Sequence, residues 1–142
     1  MPSAERTVAI RRPVDQVFRF LADGRTATQW RPSVIEVSKE SGDGVGAVYR
    51  QVVRGPGGRR VDADYEVTEL EDPRLIGFRA IAGPVRPAGR FELEAMGDAT
   101  VLTFTLHAEL SGWKRLLLSR AVQSTMDAEM RALDRLQDLL ER

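Results

Sequence analysis

The last stretch of the chain, residues 112–141, has no proline and no glycine after Gly112. Nothing in it interrupts a helix, which would run about 45 Å at 1.5 Å per residue. At about 100° per residue, Leu118, Val122, Thr125, Met126, Leu133, Leu136 and Leu140 fall on one face. Arg120, Asp127, Arg131, Asp134 and Asp138 fall on the opposite one, with Asp127 and Arg131 spaced as an i, i+4 ion pair and Ser111 placed as an N-cap. So long a stripe needs an equally large apolar surface beneath it. A multi-stranded sheet is the element that supplies one.

The region before it has the period of a sheet. "SVIEVSKE" reads as a strand and "SGDGVG" as a turn with glycines where positive φ is expected. "AVYRQVVR" puts Ala47, Tyr49, Gln51 and Val53 on one face and Arg50 and Arg54 on the other. After a "GPGG" turn, "RRVDADYEVTELE" alternates without a slip: Val61, Ala63, Tyr65 and Val67 face one side, and Asp62, Asp64, Glu66 and Thr68 face water. "RLIGFRAIAG" follows, then "GRFELEA" with Phe91, Leu93 and Ala95 inward, then "TVLTFTLHAEL" with Leu102, Phe104, Leu106, Ala108 and Leu110 inward. The short connections predict an antiparallel meander with one buried face.

At the other end, "ERTVAIR" (5–11) reads as a strand with Val8 and Ile10 on one side. Pro13 suits the first turn of a helix, and Val14, Val17, Phe18, Leu21 and Ala22 form its apolar stripe. Gly24 supplies the stop, so the helix is expected over 13–23. A second short helix is expected over 25–30, ending at Trp30 because Pro32 disfavours helical geometry at Arg31.

A chain of 142 residues has room for one core, and no repeat, low-complexity tract or linker divides it, so one domain over 1–142 is expected. The 21 basic and 21 acidic residues balance, which gives no overall charge to draw the chain onto nucleic acid or anionic lipid. The absence of cysteine excludes disulfides, thiol nucleophiles and thiolate metal sites. "MPSAERTVAI" lacks the basic and apolar regions of a signal peptide, and no 18-residue apolar span occurs, so a cytoplasmic protein without stable membrane insertion is expected.

A strand, two small helices, a run of antiparallel strands and one long terminal helix resemble the START-like, or SRPBCC, superfamily. Within it the chain is similar to the bacterial polyketide cyclase/dehydrase and lipid-transport type proteins. The likeness rests on "VAIRRPVDQVFRFLAD" followed by Trp30, on "GVGAVYR" at 44–50, on "YEVTELEDPRL" at 65–75 and on the closing "EMRALDRLQDLLE". It implies an α+β helix-grip fold, a curved antiparallel sheet around the C-terminal helix with a cavity between them. In that superfamily the cavity binds lipids, sterols, polyketides or other apolar molecules, and only some members catalyse a reaction. Fold alone therefore does not decide function.

Few residues offer chemistry. His107, the only histidine, alternates out of phase with Leu106 and Ala108 and is expected at the surface, and no metal site or cofactor is expected. No phosphate or dinucleotide fingerprint is present, "GPGGRR" being a hairpin tip. Arg54, Arg59 and Arg60 cluster there without aromatic residues to stack bases and with Asp62 and Asp64 close by, so no nucleic-acid partner is expected. Trp113, Lys114, Arg115 and the leucines at 116–118 read as packing at a helix start, one turn being short for an interfacial anchor.

Glu129 breaks the pattern, lying about 20° from Leu118 in the middle of the apolar face. A buried carboxylate needs a partner. It either meets water or an inward arginine where the cavity opens, or it faces a ligand; both readings are open. Tyr49, Gln51 and Tyr65 point inward and are in reach of it, and each tyrosine is expected to be a core aromatic with a satisfied hydroxyl.

Three functions follow. In the preferred one, a small hydrophobic ligand occupies the cavity, with Phe78, Phe91, Phe104, Met126 and Met130 as its walls, Trp30 at its floor or mouth, and Tyr49, Gln51, Tyr65 and Glu129 orienting a polar group. In the second, a polyketide cyclase or dehydratase uses Glu129 as acid or base, its pKa raised by the apolar face. The third is a protein-interaction module. Monomer and homodimer are both open.

Overall fold

The alternating segments pair into one antiparallel sheet in a computed structural model that describes residues 2–83 and 85–142. The strands are β1 (Ser3–Ile10), β2 (Val34–Ser41), β3 (Val48–Arg54), β4 (Arg60–Asp62), β5 (Tyr65–Glu71), β6 (Leu75–Ala80), β7 (Ala88–Met96) and β8 (Ala99–His107). The helices are α1 (Val14–Ala22), α2 (Ala27–Trp30), α3 (Gly112–Arg131) and α4 (Leu133–Leu140), with a 3₁₀ turn at Gly24–Thr26. The sheet order is β1-β8-β7-β6-β5-β3-β2, with β4 also paired to β3. The meander thus runs from β2 to β8, and β1 closes on β8 with Val8 opposite Leu102. Helices α3 and α4 lie on the inner face in a helix-grip arrangement, where Ile10, Val17, Leu102, Phe104, Leu133 and Leu136 are fully buried.

The uninterrupted strand expected over 59–71 is broken at Ala63 and Asp64. Asp64, expected to face water, is half-buried: its Oδ1 accepts the Gln51 backbone N–H at 3.1 Å, and the Ala63 carbonyl accepts Gln51 Nε2 at 3.2 Å. These side-chain bonds add to the backbone bond from the Ala63 N–H to the Gln51 carbonyl at 2.8 Å, and a register shift follows between Val67 and Glu69. Ala95, expected inward, is exposed. Its cross-strand partner Thr100 is covered by the β1–α1 turn, whose Arg12 carbonyl accepts the Thr100 hydroxyl at 2.9 Å, but the cover stops short of Ala95. Leu110 is half-buried beyond the end of β8.

The C-terminal helix tightens at Ala132 without breaking. Ala132 keeps helical dihedrals (φ −63°, ψ −19°), and its N–H is shared by the carbonyls of Ala128 and Glu129 at 3.1 and 3.2 Å. Asp127 accepts Gln123 Nε2 at 3.0 Å, and the ion pair expected with Arg131 does not form among the described residues. The helix is sewn to the outer edge of β1. Gln123 exchanges two hydrogen bonds with the Ser3 backbone (3.2 and 2.7 Å), and Gln137 Nε2 donates to the Ala9 carbonyl at 2.7 Å. Arg6 bonds the Met130 carbonyl at 3.0 Å, and Glu141 accepts the Arg11 N–H at 2.8 Å.

The start of α3 departs from its expected role in core packing. Trp113, Leu116 and Leu117 are 64%, 86% and 71% exposed. At about 100° per residue they lie roughly half a turn around the helix from Leu118 and Val122, which face the interior. The outer side of this turn has no element against it to pack on.

Candidate functional site

A cavity of about 290 Å³ lies between the sheet, the α1–α2 segment and the inner face of α3. Its aromatic wall follows from strand register, because β7 and β8 place Phe91 opposite Phe104, and β3 and β5 place Tyr49 opposite Tyr65. Phe91 and Phe104 stack at 4.4 Å between centroids, and the two tyrosines stack at 5.1 Å. Phe78 bridges the pairs, 5.9 Å from both Tyr65 and Phe91. Trp30 forms the floor, edge-on to Phe91 at 6.2 Å and to Phe104 at 6.4 Å. Thr125 lines the cavity yet stays exposed, which locates an opening along α3.

Gly24 has a different role from the expected helix stop. The residue that ends α1 is Asp23, in an extended conformation, and Gly24 does not take a positive φ. A Cβ at Gly24 would strike the Tyr65 hydroxyl and come within 2.9 Å of the Tyr49 ring. The glycine is needed because the tyrosine pair rests directly on its backbone.

One corner of the cavity holds a buried ion pair. Glu129 is 7% exposed and accepts Arg31 Nε at 2.7 Å on one carboxylate oxygen and the Ser33 hydroxyl on the other. Arg31 Nη1 also donates to Gln51 Oε1 at 3.3 Å. Burial pushes the Glu129 carboxyl up, but the Arg31 charge and the hydrogen bonds from Arg31 and Ser33 outweigh it and hold the group below the usual glutamate value. The raised pKa expected for an acid catalyst is therefore reversed, and Glu129 is an ionised, doubly hydrogen-bonded half of an ion pair. Burial and the neighbouring Tyr49 instead push the Tyr65 hydroxyl well up, so it stays protonated. The tyrosine hydroxyls, expected to be satisfied, form no hydrogen bond among the described residues.

Trp30, Tyr49, Gln51, Tyr65, Phe78, Phe91, Phe104, Met126 and Glu129 all line the cavity. Met130 does not: one residue on from Glu129 it is rotated by about 100° and is buried in the core cluster instead. Arg31 and Ser33 were not anticipated. They lie in the irregular segment around Pro32, where neither helical nor strand period assigns a direction to a side chain. The signal for them was the demand of a buried Glu129 for a cation. His107 is exposed at the end of β8, and Arg60 pairs with Glu36 at 3.4 Å on the hairpin. Among the described residues no group of three or more His, Asp or Glu could hold a metal ion, and no helix is long and apolar enough to cross a membrane.

The fold has many relatives among solved structures. The protein TTHA0849 from Thermus thermophilus is 22% identical, with 98% of this chain and 97% of that one covered and a TM-score of 0.81. A START superfamily protein from Mycobacterium smegmatis is 17% identical over 97% and 98% of the two chains, with a TM-score of 0.76. The Zhui aromatase/cyclase from Streptomyces sp. R1128 is 21% identical over 96% and 94%, with a TM-score of 0.73. At such identities these likenesses establish the fold alone. No curated protein sequence matches the chain at a significant level. The profile of the family described as polyketide cyclase / dehydrase and lipid transport matches residues 1–141, and the chain belongs to that family.

Proposed function

We propose that this chain is a single-domain, cytoplasmic binding protein for a small hydrophobic molecule held between the sheet and α3. The observation that carries the reading is the aromatic cavity whose buried carboxylate, Glu129, is neutralised from within, while Arg54 and Asp62 at its edge are exposed to water. Arg31 and Glu129 satisfy each other, so an apolar ligand can enter without stranding a charge. The cavity lies near the lower end of the roughly 300–1,000 Å³ typical of ligand sites. Tyr49 and Tyr65 hydroxyls supply polar contacts that orient the ligand, and Tyr65 acts as a donor.

The cyclase or dehydratase reading fits less well. A carboxylate held below its ordinary pKa with both oxygens occupied is a poor proton carrier near neutrality. The zero formal net charge of the chain and the Arg60–Glu36 pair at the hairpin give no support to a nucleic-acid partner.

The test is binding of an environment-sensitive apolar dye and its displacement by fatty acids and fused-ring aromatics. Native mass spectrometry of the freshly purified protein looks for a co-purified ligand. Val122→Trp, which fills the cavity from α3, is expected to abolish dye binding with little change in melting temperature. Absence of dye binding and of any co-purified ligand in the unmodified protein would refute the reading.

A further inference from the structure

The exposed turn at the start of α3 is the one apolar feature that the cavity does not use. Trp113, Leu116 and Leu117 stand on a single helical face, roughly half a turn around the axis from the cavity-lining Leu118 and Val122. Across a surface hollow from Lys114 lies Ile81, 37% exposed, in the β6–β7 connection. Two separate segments therefore present apolar side chains at the same end of the molecule.

The helix that carries this ridge is basic at this end, and Arg120, seven residues on from Trp113, shares the ridge's face. From Gly112 to Met126, α3 carries Lys114, Arg115 and Arg120 and no acidic residue. The positive end of the helix dipole disfavours cations in the first turn, so Lys114 and Arg115 are placed against the helix's own electrostatics. Neither Arg115 nor Arg120 has an ion-pair partner among the described residues. The hollow is lined by Arg79, Arg86 and Lys114 and by one acid, Glu109, with Arg79 paired to Glu66.

We propose that the start of α3, together with Ile81, is a docking surface for an anionic lipid bilayer. The charge pattern selects this occupant. A second copy meeting the patch about a two-fold axis would set these cations against themselves. A bilayer with acidic headgroups neutralises them, accepts the indole at its interface and takes the leucines without needing a shaped partner. The inference rests on the hydrophobic-ligand reading to this extent: the opening at Thr125 lies on the same helix, about 12 Å further along it than Leu117, so a docked α3 holds the cavity mouth near the lipid from which an apolar cargo would come.

The test is flotation with vesicles of phosphatidylcholine alone and of phosphatidylcholine with phosphatidylglycerol at three to one, alongside dye binding in the cavity. Flotation with the anionic vesicles, weakening as salt rises, is expected, with Trp113 shielded from iodide quenching while Trp30, already 2% exposed, is unaffected. The double variant Leu116→Glu, Leu117→Glu is expected to lose vesicle binding by at least about tenfold and to keep dye binding, because neither residue lines the cavity. No flotation with anionic vesicles at low salt overturns the proposal, as does flotation that survives the double variant. So does a solution dimer that the variant dissolves while the unmodified protein ignores vesicles. Dye binding that fails while flotation persists sinks the cavity reading and leaves the docking surface standing.

Discussion

Replacing Glu129 by Gln keeps the volume and one acceptor for Arg31 but leaves the guanidinium without a counter-charge. Removing one partner of a buried pair costs about 3–5 kcal/mol. Glu129 is only 8% exposed at its side chain, but Arg31 is 20% exposed, so water screens part of the stranded charge and roughly 2–3 kcal/mol is the better expectation. For a chain of 142 residues that corresponds to a fall of about 8–12 °C in melting temperature. Arg31→Met combined with Glu129→Leu removes both charges and should recover to within about 1 kcal/mol of the unmodified protein or exceed it. The pair also sets an acid limb. With its pKa depressed in the folded state, Glu129 contributes its full stabilisation above the ordinary glutamate value of about 4.3, and the contribution is lost as pH falls through the lower folded value. Chemical denaturation across pH, for the parent protein and both variants, measures both effects. A Glu129→Gln protein that melts within 2 °C of the parent (about 0.5 kcal/mol), or a double variant less stable than Glu129→Gln, would refute the coupling.

Gly24→Ala should displace the stacked tyrosines, costing about 1–3 kcal/mol and weakening dye binding together, read by thermal melting and titration; an unchanged affinity would mean that the pair does not shape the cavity. Thr100→Val strips the fully buried hydroxyl from the Arg12 carbonyl and should cost about 1–2 kcal/mol in urea unfolding, with no change in ligand affinity because Thr100 does not line the cavity.

The alternation of β3, β7 and β8 was legible because side-chain period and burial coincide there: Tyr49, Gln51, Phe91, Phe104 and Leu106 all point inward as the period requires. Glu129 was legible for the opposite reason, as a charge where the helical stripe demanded an apolar residue. Its partner was not, because Arg31 extends from a loop whose direction is fixed by tertiary contacts with Glu129 and Gln51. The break at Asp64 was hidden for a related reason. An aspartate in an alternating strand looks solvated, and only the neighbouring strand reveals that its oxygen accepts a backbone N–H. The exposed turn at Trp113 was misread because helical period gives the angle of a residue around the axis but not where the sheet beneath it ends.

An open sheet has two margins, each a row of unpaired peptide groups that can recruit a strand from another molecule. In this protein the β1 margin is answered by side chains. The amides of Gln123 and Gln137 occupy the Ser3 and Ala9 peptides as a ninth strand would, and the helix carrying them stands in the path of any incoming chain. The opposite margin, β2, is protected by irregularity and charge, with register shifts on both sides of Glu36–Lys39 and Glu36, Lys39 and Glu40 along it. Strand-by-strand polymerisation is thus blocked at both ends of the sheet by different means. Loss of the two glutamine amides would leave the Ser3 and Ala9 peptides unpaired and the β1 side guarded by the bulk of the helix alone.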